Sequence, residues 1–276
     1  MPNLFINDLN NTIYKKLKKI KKYFPHMRLR IKFISEENKL RLPIHYNEII
    51  QGLIYKHISP QLAEKLHDQG FEDPETGKKF KFFTFSRLIP ETKPVFQKDF
   101  IIFKSPINLI ISSINKDFIQ SLVENLLANP SLYLQNQKIT LLSVEILPLP
   151  SYREKIFIKT LSPITVYTTF HTKEGKKKTY YYNPREKEFS QNLLENLKNK
   201  VKVWYGKEIN NGKIKLVKLI SQKERVVIYK NTVIKGWDGI FELNLPEEMF
   251  KMAFLTGLGA KNSAGFGCIE ISTRKK

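Results

Sequence analysis

The sequence predicts an α+β protein made of two β-α-β-β-α-β units in tandem. Three observations predict it. Segments alternating apolar and polar residues, and segments whose apolar residues recur every three or four positions, follow one another in that order twice. The stretch Leu147-Pro148-Leu149-Pro150-Ser151 separates the two rounds with the composition of a linker. A glycine-rich loop lies between the last helical segment and the last strand.

The first unit begins at Met27. Arg28-Leu29-Arg30-Ile31-Lys32-Phe33 alternates as a half-buried strand does. Pro43 ends the loop after it, and Asn47 is placed to cap a helix carrying Ile49, Ile50, Leu53 and Ile54 on one face. Ser59-Pro60 reads as the cap and first residue of a second short helix, with Leu62, Ala63 and Leu66 inward. Gly70 and the run Asp73–Gly77 make a loop. Phe80–Phe85 and Asp99–Phe103 predict two strands, paired as a hairpin with a long connection. Residues 115–128 predict a helix with Phe118, Ile119, Leu122, Leu126 and Leu127 inward, and residues 138–147 predict a closing strand.

The second unit repeats the order. Residues 155–167 are strand-like, and residues 187–201 predict a helix with Phe189, Leu193, Leu194 and Leu197 on one face. Residues 213–220 and 225–243 predict strands. Pro246 opens a helix over 246–256 carrying Met249, Phe250, Ala253 and Phe254, and Phe266–Ile271 alternates as a last strand. Each round is the split βαβ arrangement called ferredoxin-like, or RRM-like. The expected division is a basic extension over 1–26, an N-terminal domain over 27–148 and a C-terminal domain over 149–276.

Composition sets the class of partner. The 276 residues hold 47 Lys+Arg against 26 Asp+Glu, a formal net charge of +21. Such a surplus meets polyanions, and DNA, RNA and an anionic membrane all satisfy it. Hydrophobic residues at 41% are enough for packed cores and exclude wholesale disorder. The single Cys268 excludes an internal disulfide framework and a cysteine-rich zinc site. No apolar run approaches the ~18 residues of a membrane span, and the opening residues lack the apolar core of a secretion signal. A soluble cytoplasmic protein without a membrane partner is expected. In the extension, six lysines between Lys15 and Lys22 accompany Ile13, Leu17 and Ile20 at helical spacing, predicting a short basic amphipathic helix over 10–22.

Two segments look suited to RNA. Lys176, Lys177 and Lys178 precede Tyr180-Tyr181-Tyr182, and lysines beside aromatics suit a single strand, charge tracking phosphates while rings stack on bases. A solvated hairpin tip explains the same residues equally well. The second segment is Gly257-Leu258-Gly259-Ala260-Lys261-Asn262-Ser263-Ala264-Gly265-Phe266-Gly267. It is not a dinucleotide fingerprint, because it follows a helix and precedes a strand; it is not a Walker A loop, because no G-K-[ST] is present. A helix C-cap explains Gly257 or Gly259 but leaves Gly265 and Gly267 without a reason. Such a loop is expected to hold a phosphate backbone through N–H groups, with Lys261, Asn262 and Ser263 adding a cation and polar side chains.

Gly-Leu-Gly, five residues, then Gly-Phe-Gly near the C-terminus resembles the glycine-rich loop of the RAMP superfamily of CRISPR-associated proteins. The N-terminal half narrows the resemblance. Leu42–Asn47, Gln51–Tyr55, Leu66-His67, Lys81–Ser86 and Leu161–Ile164 follow, in order and approximate spacing, the endoribonucleases that cut CRISPR repeat RNA, the Cas-six family. The resemblance covers roughly residues 27–272 and leaves out the extension, which makes Met27 a candidate second start.

The resemblance implies a metal-independent reaction. A 2′-hydroxyl attacks the adjacent phosphate, the 5′-oxygen leaves, and a 2′,3′-cyclic phosphate remains. No cofactor or metal is expected; the sequence has no dense carboxylate set and no His-x-x-x-His pair. Imidazole titrates near neutral pH, so a histidine suits general acid or base work. His67, four residues after Ala63, borders the apolar stripe of its helix, and a half-buried structural histidine fits that place as well. The resemblance assigns it the catalytic position, with Tyr55 beside the scissile phosphate and Lys81 stabilising the charged transition state. Lys78 and Lys79 are near alternatives to Lys81; His57 and His45 are alternatives to His67, and His26 and His171 weaker ones. The implied partner is CRISPR repeat RNA, lying across a basic cleft between the domains; subunits of an effector complex and a second copy of the chain are further candidate partners. A non-catalytic RNA-binding RAMP subunit is the alternative reading, since the glycine loop permits it equally.

Overall fold

The computed structural model describes residues 27–272, so the helix expected over 10–22 lies outside the described residues. Two antiparallel sheets organise the chain. The first places Ser131–Leu134, Gln137–Leu147, Met27–Ser35, Ile107–Ser113 and Phe83–Phe85 side by side, with Ile89–Pro90 also on Ile107–Ser113. Helices α1 (Asn47–Lys56), α2 (Pro60–Glu64) and α3 (Lys116–Ala128) accompany it. The second orders Lys213–Leu219, Gly239–Asn244, Lys155–Thr160 and Ile269–Ile271, accompanied by α4 (Lys187–Tyr205) and α5 (Glu247–Thr256). Numbering the strands of each βαββαβ round, both sheets run 4-1-3-2, the ferredoxin-like order.

The third strand of the first sheet is not the expected one. Asp99–Phe103 does not pair with Phe80–Phe85: Phe100–Lys104 instead bonds Lys39–Pro43 and Val95–Gln97 in a side sheet. Its place is taken by Ile107–Ser113, which pairs Met27–Ser35 on one side and Phe83–Phe85 on the other. That strand is buried at nearly every position, so it shows no alternation to betray it.

The expected strand 80–85 is also broken. Lys79–Phe80 pairs with Phe71–Glu72, whereas Phe83–Phe85 joins the main sheet. Between them Phe82 takes φ +51°, a conformation costly for a bulky residue. The turn lets Phe80 and Phe82 enter the core of the C-terminal half while Phe83 and Phe85 enter that of the N-terminal half. Phe82 packs edge-on to Trp204 at 4.9 Å. The single segment thus stitches the two cores together, and Lys81 emerges between Phe80 and Phe82.

In the second half, 155–167 and 225–243 each divide. Lys155–Thr160 stays in the sheet, while Tyr167–His171 forms a hairpin with Lys177–Tyr181. Arg225–Tyr229 and Thr232–Gly236 form another hairpin ahead of Gly239–Asn244. The closing strand shortens to Ile269–Ile271, because Phe266 and Gly267 belong to the glycine loop. Helix α4 runs on to Tyr205 and ends at Gly206 in the left-handed conformation. No helix among the described residues is long and apolar enough to cross a membrane.

Candidate active site

The glycine loop is the joint between the halves. Asn47 makes this plain. It does not cap α1, as expected, but is its first helical residue, buried, with its side chain turned to the loop. Asn47 Nδ2 donates to the carbonyl oxygens of Ala264 at 2.7 Å and Gly265 at 3.3 Å, and its Oδ1 accepts from Arg87. One turn on, Gln51 Nε2 donates to Ser263 O at 2.6 Å. Thr84 Oγ1 donates to Phe266 O, and Ser162 Oγ to Phe85 O.

The four loop glycines all have positive φ, and their missing Cβ atoms are spaces the fold uses. A Cβ on Gly267 would sit 1.9 Å from Leu258 O, and one on Gly265 2.5 Å from the Phe85 ring. The N–H groups of Leu258, Ala260, Ala264, Gly265 and Gly267 bond carbonyls inside the protein. These five donors are thus not free for the phosphate cradle expected of the loop, and the four glycines stand where the packing leaves no room for a Cβ. What the loop offers outward is Lys261 and Ser263; Asn262 is partly exposed, but its amide is bonded within the protein.

A residue the sequence reading passed over holds that loop from beneath. Lys200, on α4, is 3% exposed. Its Nζ donates to Gly257 O at 2.8 Å, Gly259 O at 3.3 Å and Asn262 Oδ1 at 2.6 Å. Asn262 Nδ2 in turn bonds Leu258 O and Phe266 O, closing the loop on itself. Burial without a facing carboxylate pulls the Lys200 ammonium down to about 7. Its signal was a charged residue beside the apolar Phe189/Leu193/Leu197/Val201 face of α4.

Against this joint the structure brings Tyr55, His67 and Lys81 together. They line one open pocket of about 410 Å³ with Gln51, Tyr229, Lys230, Lys261 and Ser263. Tyr55 comes from the last turn of α1, and Lys81 from the segment that stitches the cores. His67 comes from a π turn, Lys65–Gln69, that continues α2 and ends at Gly70; such turns are frequent at functional sites. Lys81 Nζ is 3.3 Å from the Tyr55 hydroxyl and 3.4 Å from His67 O. The Tyr55 and His67 rings meet edge to face at 6.4 Å.

His67 is well exposed, its side chain 63% open, and is not a structural helix-end histidine. Its Nδ1 lies 2.6 Å from Asp68 Oδ1, so Nδ1–H faces the carboxylate and Nε2 is left for the pocket. Burial, and then the nearby Tyr229, raise the Tyr55 hydroxyl above the ordinary tyrosine range, so it keeps its proton. Burial, then repulsion from Lys230, lower Lys81, and Asp68 partly offsets them. Tyr229 and Lys230, at the tip of the second hairpin, were missed by the sequence reading; the hairpin signal was hidden inside one long apparent strand. Tyr229 bonds Gln51 through its hydroxyl.

The other expected residues lie elsewhere. His57 is buried, its Nδ1 bonded to Leu53 O at 2.7 Å at the end of α1. His45 sits in the turn before α1 and does not line the pocket. His171 is exposed in its hairpin, paired with Lys177, and His26 lies outside the described residues. Lys176, Lys177 and Lys178 are exposed on that hairpin and do not line the pocket either. Beside them the Tyr180 ring is 47% exposed with its hydroxyl on Glu186, whereas Tyr181 bonds Val233 O and Tyr182 is half-buried against the core. Lys78 and Lys79 line a neighbouring cleft, where Lys79 is 3.7 Å from Glu72.

The chain is similar to known proteins along most of its length. Residues 41–145 match the family model for the N-terminal part of CRISPR-associated protein Cas6, and residues 143–271 match the model for its C-terminal part. The chain is 30% identical over 242 residues to the CRISPR-associated endoribonuclease Cas6 1 of Methanocaldococcus jannaschii, covering 86% of this chain and 89% of that protein. It is 28% identical to the CRISPR-associated endoribonuclease Cas6 of Pyrococcus furiosus, covering 90% and 91%. A solved structure named CRISPR associated protein Cas6 superposes with a TM-score of 0.72 at 27% identity, over 90% of this chain and 99% of that one.

Proposed function

This chain belongs to the Cas6 family, and from that premise we propose that it is an endoribonuclease cutting precursor CRISPR RNA within its repeats. The observation that carries the reading is the convergence of Tyr55, His67 and Lys81 on one open pocket beside the glycine loop.

The chemistry suited to these groups is internal transfer without a metal. The 2′-oxygen attacks phosphorus as its proton leaves to a base, the bond to the 5′-oxygen breaks, and an acid protonates the departing oxygen. The products are a 2′,3′-cyclic phosphate and a 5′-hydroxyl. His67 Nε2 exchanges the proton at one end, with Asp68 orienting the ring through Nδ1. The neutral Tyr55 hydroxyl positions the phosphate or the attacking oxygen. Lys81, with Lys230 near it, faces the charge that builds on the phosphorane oxygens, which in a half-buried site is the strongest single contribution. Lys261 and Ser263 hold the flanking backbone.

The test is cleavage of RNA carrying the repeat from the encoding genome, with excess EDTA. The expected product bears a cyclic phosphate that resists phosphatase until acid opens it. A 3′-hydroxyl product, or a strict requirement for divalent cation, overturns the mechanism. Binding without cleavage makes the chain a non-catalytic RNA-binding member.

A further inference from the structure

A second cleft of about 500 Å³ adjoins the catalytic pocket, and the two share Lys81, Lys261 and Ser263 as a common wall. A strand whose phosphate meets Tyr55 and Lys81 can continue past that wall into this second cleft. The cleft holds the three kinds of group a nucleotide requires. Lys78 and Lys79 are exposed along it and supply charge for a phosphate. Tyr167 supplies a ring, with Lys261 Nζ 5.7 Å from its centre. The third wall is the polar face of α4, where Asn192 and Asn196 stand one turn apart.

The two asparagines differ. Asn192 Nδ2 is held by Glu188 O at 2.9 Å. Asn196 is half-buried, and among the described residues its Oδ1 is shut off from solvent without a hydrogen-bond partner. A shielded polar group left unpaired costs stability until something bonds it, and a base reaches this oxygen once the Asn196 amide turns from its shielded position into the cleft that its side chain lines. An amide presents a donor and an acceptor side by side, the pairing that matches the N6 and N7 edge of adenine.

We infer that this cleft seats one nucleotide next to the cleaved linkage and that Asn196 reads its base, adenine being the match. The location relative to the cut rests on the proposed ribonuclease reading; the base preference does not. The decisive experiment selects a fully randomised RNA pool for binding to the wild-type chain, to Asn196→Ala and to Asn196→Asp, and sequences each selected pool. The wild type is expected to require adenine at one position, replacement of which weakens binding about tenfold. Asn196→Ala erases the preference there and nowhere else. Asn196→Asp, which only accepts, moves it from adenine toward cytosine, whose N4 amino group an acceptor alone reads. Cutting of the selected RNAs falls beside that adenine. An unchanged motif in Asn196→Ala, an equal loss at every position, no motif in the wild type, or a cut remote from the adenine overturns the inference. If the wild type selects the motif but cuts nothing, the ribonuclease reading fails while Asn196 is still judged by the motif comparison.

Discussion

Lys81 Nζ lies 3.3 Å from the Tyr55 hydroxyl, with Lys230 close enough to depress the Lys81 ammonium through repulsion after burial has done the larger part. Removing the Lys230 charge therefore raises the Lys81 pKa toward its ordinary value. Lys81 then keeps its proton to higher pH, and the alkaline limb of the pH–rate profile of Lys230→Ala moves upward. Lys81→Met is expected to slow cleavage by roughly 10²–10³-fold, the scale of losing one transition-state donor, while RNA affinity changes only a few-fold. An alkaline limb that does not move would detach Lys81 from the rate-determining charge.

The histidines separate by what they touch. His67→Ala is expected to remove most cleavage and leave RNA binding nearly intact, since its side chain lines the pocket and is 63% open. His57→Gln is expected to leave cleavage in place and cost about 1 kcal/mol of stability, the usual worth of a buried hydrogen bond, because its Nδ1 ties to Leu53 O at the end of α1. Single-turnover cleavage and thermal melts on both variants check the pair. Cleavage that survives in His67→Ala returns the search to His45.

These expectations show where sequence was readable. Helices α1, α3, α4 and α5 announced themselves through apolar spacing, and Tyr55 and Lys81 were named through the family resemblance. Ile107–Ser113 was not, since burial on both faces erases the period of two that marks a strand. The strand at 80–85 was misread because its aromatics serve two cores, and the reversal at Phe82 leaves no trace in hydropathy. Lys200 looked like any helix lysine; only the glycine carbonyls around its Nζ, 57 and 59 residues away in the chain, give it a purpose. The glycines were recognisable as a motif, but their physical reason lies in contacts with Phe85, Thr165 and Leu258, which no linear pattern records.

That reason has a measurable consequence. Gly267→Ala would place a methyl 1.9 Å from Leu258 O at φ +73°, where an L side chain is already strained. A loss of at least about 3 kcal/mol is expected, at the upper end for overpacking, with both halves loosened because the loop joins them. Gly52, in α1, has nothing within 4 Å of its missing Cβ. Gly52→Ala is therefore expected to stabilise by about 0.5–1 kcal/mol through helix propensity. Denaturant melts of the two variants should move in opposite directions.

Lys200 makes the last expectation one of pH. Folding brings its ammonium down to about 7, from about 10.4 in an unfolded chain. Below that window both states hold the proton, and the folded state bears the full cost of a buried cation. Within the window the unfolded chain keeps the proton while the native one releases it, so the Lys200 contribution to stability grows as pH rises. Lys200→Met cannot titrate, and it also leaves Gly257 O, Gly259 O and Asn262 Oδ1 without their donor. The melting temperature of the wild type should therefore gain on that of Lys200→Met steadily between about pH 7 and about pH 10. Taking the difference between the two proteins cancels every other titrating group, Lys81 included. A difference that stays flat across the window would mean that Lys200 holds the same proton folded and unfolded, with the three oxygens around it enough to keep the ammonium charged.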